Sequence, residues 1–257
     1  MAKTVFISIL ERDEAKGKGL FQAVTRYGLS VSGHFWSKDL ERMEWAGPIP
    51  ELRRPEVGVW LIKGGAASFA DPEVRFGLGL LAVSVQANRG HGFPVLLICD
   101  DGALDPATLP TPLRGAEVVD EARLGVKLAA KANVPLAKIA PEYRLDVHAL
   151  PGLGLWAEVG PAPGHDWKGA LLGVSGGSID AHGIGPAGTL PERCVLEYPM
   201  KGVELELAGV RYSAWAVRNA LGPGDSYYVR LAGRPEGLLL GEFPEGDDAA
   251  LFSLSLK

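Results

Sequence analysis

The sequence predicts an α/β doubly wound (flavodoxin-like) parallel-sheet domain over residues 1–137, followed by an all-β, sandwich- or barrel-like domain over 142–257. Three observations predict it. In the first half, nearly continuous apolar runs (Val5–Leu10, Val57–Ile62, Val95–Cys99) alternate with helix-length amphipathic stretches. Parallel strands covered by helices on both faces have this pattern. Near residue 140 the helix-length patterns give way to short runs punctuated by Gly and Pro. Several of those later runs alternate apolar and polar residues with period two, as antiparallel strands with one solvated face do.

In chain order, the first domain offers strands at Thr4–Leu10, Leu29–Phe35, Val57–Ile62, Pro94–Cys99 and Glu117–Val119, with helices expected near 15–27, 38–46, 71–88 and 121–133. The helix at 71–88 has the clearest start. Asp71 suits the N-cap, Pro72 the first helical position, and Glu73 the positive helix end. Right-handed β-α-β crossovers then bring ligands to the crevice beyond the carboxyl ends of the strands. Ser8, Glu11, Arg12 and Asp13 lie at the first such end, Lys63, Gly64 and Gly65 at the third, and Asp100 and Asp101 at the fourth. Residues 134–143, with two prolines, read as the linker.

Beyond the linker, strands are expected at Arg144–Leu150, Leu155–Val159, Ala170–Val174, Cys194–Tyr198, Val203–Leu207, Tyr227–Leu231, Leu238–Glu242 and Leu251–Leu256. Gly222-Pro-Gly224 and Gly233-Arg-Pro235 supply turns.

Composition narrows the function classes. A chain of 257 residues, 47% hydrophobic and 22% charged, is that of a globular protein. Its net charge of -5 argues against non-specific nucleic-acid binding. No apolar run reaches the roughly 18 residues of a membrane span, and the start reads as a first strand and not a signal peptide. Cys99 and Cys194 fall in different domains and read as free and buried thiols in a cytoplasmic protein.

Phe6-Ile-Ser8, with charged residues just beyond, resembles the opening strand of TIR domains. Ser68-Phe-Ala-Asp-Pro-Glu-Val-Arg-Phe-Gly-Leu-Gly-Leu-Leu-Ala82 is similar to the helix that carries the active-site glutamate in those domains, in TIR-like nucleotide-binding proteins and in nucleoside deoxyribosyltransferases. Pro94–Ile98 and Leu109–Leu113 are similar to the strand and loop that follow. The resemblance covers about half the chain, residues 1–135. It implies a nucleotide-type ligand, NAD or another nucleotide, held by Ser8, Arg12, Trp36 and the Lys63-Gly64-Gly65 loop, with Trp36 stacking on the base. It also implies a departure: Gly77 stands where the family places its catalytic glutamate. Cleavage at an N-glycosidic bond needs a carboxylate beside the ribose. Glu73, four residues earlier on the same helix face, is the alternative carboxylate.

Two motifs lack the context their chemistry needs. Gly173-Val-Ser-Gly-Gly177 spells a nucleophile elbow, yet no helix can follow it, and only Asp180 stands between Ser175 and the last histidine, His182. Gly183-Ile-Gly-Pro-Ala-Gly188 spells a dinucleotide-binding turn, yet it opens no helix and reads as a loop. Asp146 and His148 share a strand face, but no zinc or calcium signature accompanies them, and no metal site is expected.

The expected function is therefore a catalytically degenerate TIR-like nucleotide-binding or assembly domain joined to a β-rich partner-recognition domain, with a protein partner or self-association and no membrane. Two alternatives stand beside it: an enzyme acting at N-glycosidic bonds of NAD or nucleosides through Glu73, and a structural subunit whose sheet edges pair with other copies.

Overall fold

The computed structural model describes residues 3–244 and 250–257. The chain divides between Ile139 and Ala140, inside the two-proline segment, into two compact units.

In the first unit β1 (Thr4–Ile9), β2 (Ser30–Phe35), β3 (Val57–Gly64), β4 (Val95–Cys99) and β5 (Glu117–Val118) form a wholly parallel sheet of order β2-β1-β3-β4-β5. This is the flavodoxin-like order, with its switch point between β1 and β3. The strands are apolar on both faces because both are covered. Val5, Ile7, Ile9, Val59, Leu61, Leu96 and Ile98 pack against α1 (Glu14–Thr25) and α5 (Glu121–Asn133) through Leu20, Val24, Leu124 and Leu128. The opposite side holds α4 (Pro72–Arg89), in which every residue from Phe76 to Val85 is buried. A helix apolar all round belongs in an interior. Its start is the expected one: Asp71 accepts from the backbone N–H of Glu73 at 2.8 Å and of Val74 at 3.3 Å.

The helix expected at 38–46 does not form. Met43 takes a left-handed φ of 54°, which breaks the helix, and only a 3-10 turn follows at Glu44–Ala46. Trp45, 2% exposed, sets the path of this segment by inserting beside α4. Short helices α2 (Ile49–Leu52) and α3 (Ala66–Ala70) complete the unit.

The second unit is one antiparallel sheet of seven strands: β6 (Tyr143–Leu150), β7 (Gly154–Pro161), β8 (Ala170–Pro186), β9 (Met200–Leu207), β10 (Val210–Val217), β11 (Asp225–Glu242) and β12 (Leu251–Ser255). Its order is β6-β7-β11-β8-β10-β9, with β12 also paired to β11. Two strands are far longer than expected. Gly233-Arg-Pro235 is not a turn between strands but an irregularity inside β11, where the register with β8 shifts between Gly233 and Gly237 and Gly233 takes a φ of 76°. Gly176, at φ 69°, relaxes β8 at the same level. β11 therefore serves three ladders: it pairs with β8 along its length, with β7 in its first half and with β12 in its second half. The expected strand Cys194–Tyr198 is a loop. Tyr198 takes φ 45° between Glu197 and Pro199, and Asn219 holds the segment through Val195 O and Glu197 N. The strand β10 was not expected. Among the described residues, no helix is long and apolar enough to cross a membrane.

Candidate functional site

The carboxyl edge of the parallel sheet carries the candidate site. A cavity of about 640 Å3 opens there between α1 and α5, lined by Lys16, Leu20, Lys63, Cys99, Asp100 and Glu121 among others. Lys63 closes β3, and its side chain is only 6% exposed. Its Nζ donates to Asp100 and, at 2.5 Å, to Glu121, while Lys16 reaches Asp100 at 3.5 Å. Burial alone would push the Lys63 ammonium down. The two carboxylates outweigh it, so the pKa lies above the usual lysine value. The lysine that the sequence assigns to a phosphate is thus a fixed cation already matched by two anions.

The glycine loop beside it is occupied in the same way. Glu11 accepts from Gly65 N at 2.8 Å and from the Ser68 hydroxyl at 2.5 Å, and Asp101 accepts from Ala66 N at 2.6 Å. A phosphate approaching these N–H groups would have to displace two carboxylates of its own sign. Gly64 has a packing reason: a Cβ there would lie 2.8 Å from Leu10 Cδ1. Arg12 is a surface residue near Glu14 at 3.8 Å.

Ser8 and Trp36 lie inside the core. Ser8 is 0% exposed; its Oγ accepts from Trp60 Nε1 at 3.0 Å and lies 2.9 Å from His34 Nε2. Burial pushes the His34 imidazole down to about 4, so the ring stands neutral beside the Ser8 hydroxyl. Neither His34 nor Trp60 is in the expected site. Their signal is register: Ser8 stands opposite His34 on β2 and Ile62 on β3, and Trp60 lies two residues before Ile62 on the same face. Trp36 is 8% exposed and cannot offer a ring face to a base. A Cβ built on Gly77 would lie 2.8 Å from Trp36 Cζ2 and 3.2 Å from Trp45 Cβ. The Trp36 indole edge and the Trp45 Cβ therefore fill the space that a side chain at position 77 would enter. Glu73, one turn earlier, sits in the first turn of α4 within the field of Lys38, whose ammonium pairs with Asp71 at 2.6 Å.

A second polar cluster lies in the β unit, and the sequence pointed only to its rim. Glu158, 4% exposed, accepts from Ser226 Oγ at 2.7 Å and Gly188 N at 2.8 Å, bonds His148 Nε2 at 2.7 Å, and lies 3.5 Å from Arg144. Burial would raise its pKa; these partners override it and hold the carboxyl at about 2. Asp146 accepts from Val147 N. Among the described residues, no three His, Cys, Asp or Glu side chains converge as metal ligands.

The motif serines and glycines have structural places. Ser175 lies within β8 opposite Gly237, with strand on both sides. Gly183–Pro186 is not a loop but the end of β8, and Gly185 is bare because Pro191 covers it: a Cβ would meet Pro191 Cβ at 2.9 Å. The thiols are free as expected, but they are not both buried, since Cys194 is exposed and Cys99 half-buried.

The fold and this edge define a flavodoxin-like α/β unit whose carboxyl edge is bonded by its own carboxylates, joined to a seven-stranded antiparallel unit. No family model matches the chain, and no curated protein resembles it at a significant level. Among solved structures it is similar to a pilus assembly-related protein from Burkholderia pseudomallei, at 14% identity and TM-score 0.33, over 52% of this chain and 94% of that one. It is also similar to CapF, described with the inhibitor 3-isopropenyl-tropolone, at 10% identity and TM-score 0.21, over 97% and 98% of the two chains. Likenesses this slight carry no argument about function.

Proposed function

We propose that this is a non-catalytic assembly protein of the cytoplasm, in which a TIR-like α/β unit and the β-rich unit each present a surface to a protein partner. One observation carries the reading: the Trp36 indole edge and the Trp45 Cβ occupy the space that a side chain at position 77 would enter, so no carboxylate fits there. Around it, the cationic and N–H groups suited to a nucleotide phosphate are already bonded to Asp100, Glu121, Glu11 and Asp101. The free thiols fit a reducing compartment.

Nucleotide binding is the second reading, supported by the cavity between α1 and α5. Incubation with NAD and with nucleosides, followed by chromatography of the products, separates the readings from the enzyme alternative. The expected result is no turnover and no thermal stabilisation by NAD. Stabilisation without turnover would favour the nucleotide reading. Turnover lost in Glu73→Gln would instead establish an enzyme whose carboxylate has moved one turn along α4.

A further inference from the structure

We propose that the β2 edge of the α/β unit is the self-assembly surface, pairing antiparallel with β2 of a second copy across a two-fold axis. This rests on the assembly reading above and names its surface. Ser30 N donates to Lys3 O at 3.0 Å and Trp36 N to Ile9 O at 2.8 Å. In a parallel ladder the residues of this parity, Ser30, Ser32 and His34, turn their backbone groups to β1, so Val31, Gly33 and Phe35 turn theirs outward. Among the described residues, the three N–H and three C=O groups that face outward at alternate positions have no strand partner, and they form a template for another strand.

Its chemistry fits a copy of itself. An isologous contact sets residues on the axis against their own copies, so a charge there would repel itself. Ser30-Val-Ser-Gly-His-Phe35 carries no Lys, Arg, Asp, Glu or Pro, the residues that usually guard an edge. Burial keeps His34 neutral as well. With Gly33 on the axis, each Gly33 exchanges two hydrogen bonds with its copy, and each Val31 exchanges two with Phe35 of the other chain. Gly33 is exposed and has no side chain to obstruct that approach. Beside the strand, a groove of about 490 Å3 continues the surface onto α1; Ile9, Phe21 and Phe35 give it an apolar floor, and Glu14 and Lys18, of opposite charge, also line it. Phe21 and Phe35 are only half-buried there. The unit's opposite edge, β5, is two residues long and carries Glu117, so it offers no such template.

Sedimentation velocity and light scattering on the full chain, from about 1 to about 500 µM, test this. The wild type is expected to show a concentration-dependent monomer–dimer equilibrium. Val31→Pro removes an outward donor and leaves the ladder to β1 intact. It should weaken the dimer about tenfold or more, since two of the intermolecular hydrogen bonds are lost. Gln22→Lys puts a second cation beside Lys18 on the wall of the groove and should weaken the dimer in a salt-dependent way; it carries the test if circular dichroism shows Val31→Pro unfolded. Ser253→Lys, on the likewise uncharged β12, should leave the dimer unchanged. A wild type monomeric throughout, a folded Val31→Pro or a Gln22→Lys that dimerises as the wild type does, or dissociation by Ser253→Lys would each overturn the proposal. Turnover of NAD or nucleosides in the same samples reports separately on the assembly reading.

Discussion

Trp36 and Gly77 are complementary: the indole edge lies where a side chain at 77 would begin, 2.8 Å from an ideal Cβ. The relationship joins the carboxyl end of β2 to the second turn of α4, and it closes the space that a side chain at position 77 would enter. The bare backbone at Gly77 and the inward tryptophan are two sides of one packing arrangement.

The first prediction follows from that arrangement. Gly77→Glu should not create glycosidic activity, because the added carboxylate meets Trp36 and Trp45 before it meets any ligand. Overpacking together with an unpaired buried charge should lower stability by roughly 3 kcal/mol or more. Chemical denaturation measures the loss; a stable variant that hydrolyses NAD would refute the argument.

Ser8 is expected to matter to the fold. Ser8→Ala removes the acceptor of the buried Trp60 Nε1 and the partner of His34 together. Leaving a buried donor unsatisfied should cost about 1–3 kcal/mol. A denaturation midpoint equal to that of the wild type would show that the hydroxyl is dispensable.

Acid should destabilise the first unit in a defined window. The folded pKa of His34, about 4, lies below the 6.5 usual for histidine. Between those values the unfolded chain binds more protons than the folded one, so stability falls as pH drops from 6.5 towards 4 and then levels off for this group. The two limits correspond to roughly 3 kcal/mol. His34→Gln should flatten that window; denaturation curves at several pH values give the comparison.

Reading the sequence succeeded where one local signal decides one element. Asp71, Pro72 and Glu73 mark the start of α4, and the continuous apolar runs mark β1, β3 and β4, because burial on both faces leaves an unambiguous pattern. It failed where tertiary packing overrides the local signal. Gly233-Arg-Pro235 has turn chemistry, yet the β8 ladder carries β11 straight through it with one register shift. The 38–46 segment has helix length, yet Trp45 and the left-handed Met43 shape it as turns. At the candidate site, positions were legible and pairings were not. Lys63 is at the strand end where the sequence places it, but its bonds to Asp100 and Glu121 span 37 and 58 residues. No spacing rule reports a contact that far apart.

Glycine spacing offers a related test in the β unit. Gly185→Ala lacks room under Pro191 and should destabilise by about 1–3 kcal/mol. Ser175→Ala, deep in β8 with no helix or base to serve, should alter no binding or activity. A neutral Gly185→Ala would mean that the segment carrying Pro191 yields easily.

Glu158 gives the last prediction. Its carboxylate gathers Ser226, His148 and the Gly188 N–H, with Arg144 nearby, and 4% exposure leaves little water to take their place. Glu158→Ala strands these donors, and it should cost about 3–5 kcal/mol, as removal of one partner from a buried charged network does. Glu158→Gln keeps the shape but turns an amide N–H2 towards donors, so it should recover only part of that loss. The acid response separates this cluster from His34. A carboxyl held at about 2, against the 4.5 usual for glutamate, contributes stability that is fully present above 4.5 and is lost as pH falls from 4.5 towards 2. The loss therefore begins where that of His34 is nearly complete. In Glu158→Gln this lower window should disappear while the window between 6.5 and 4 persists; an unchanged acid profile below 4.5 would mean that Glu158 is not the ionised centre of the cluster.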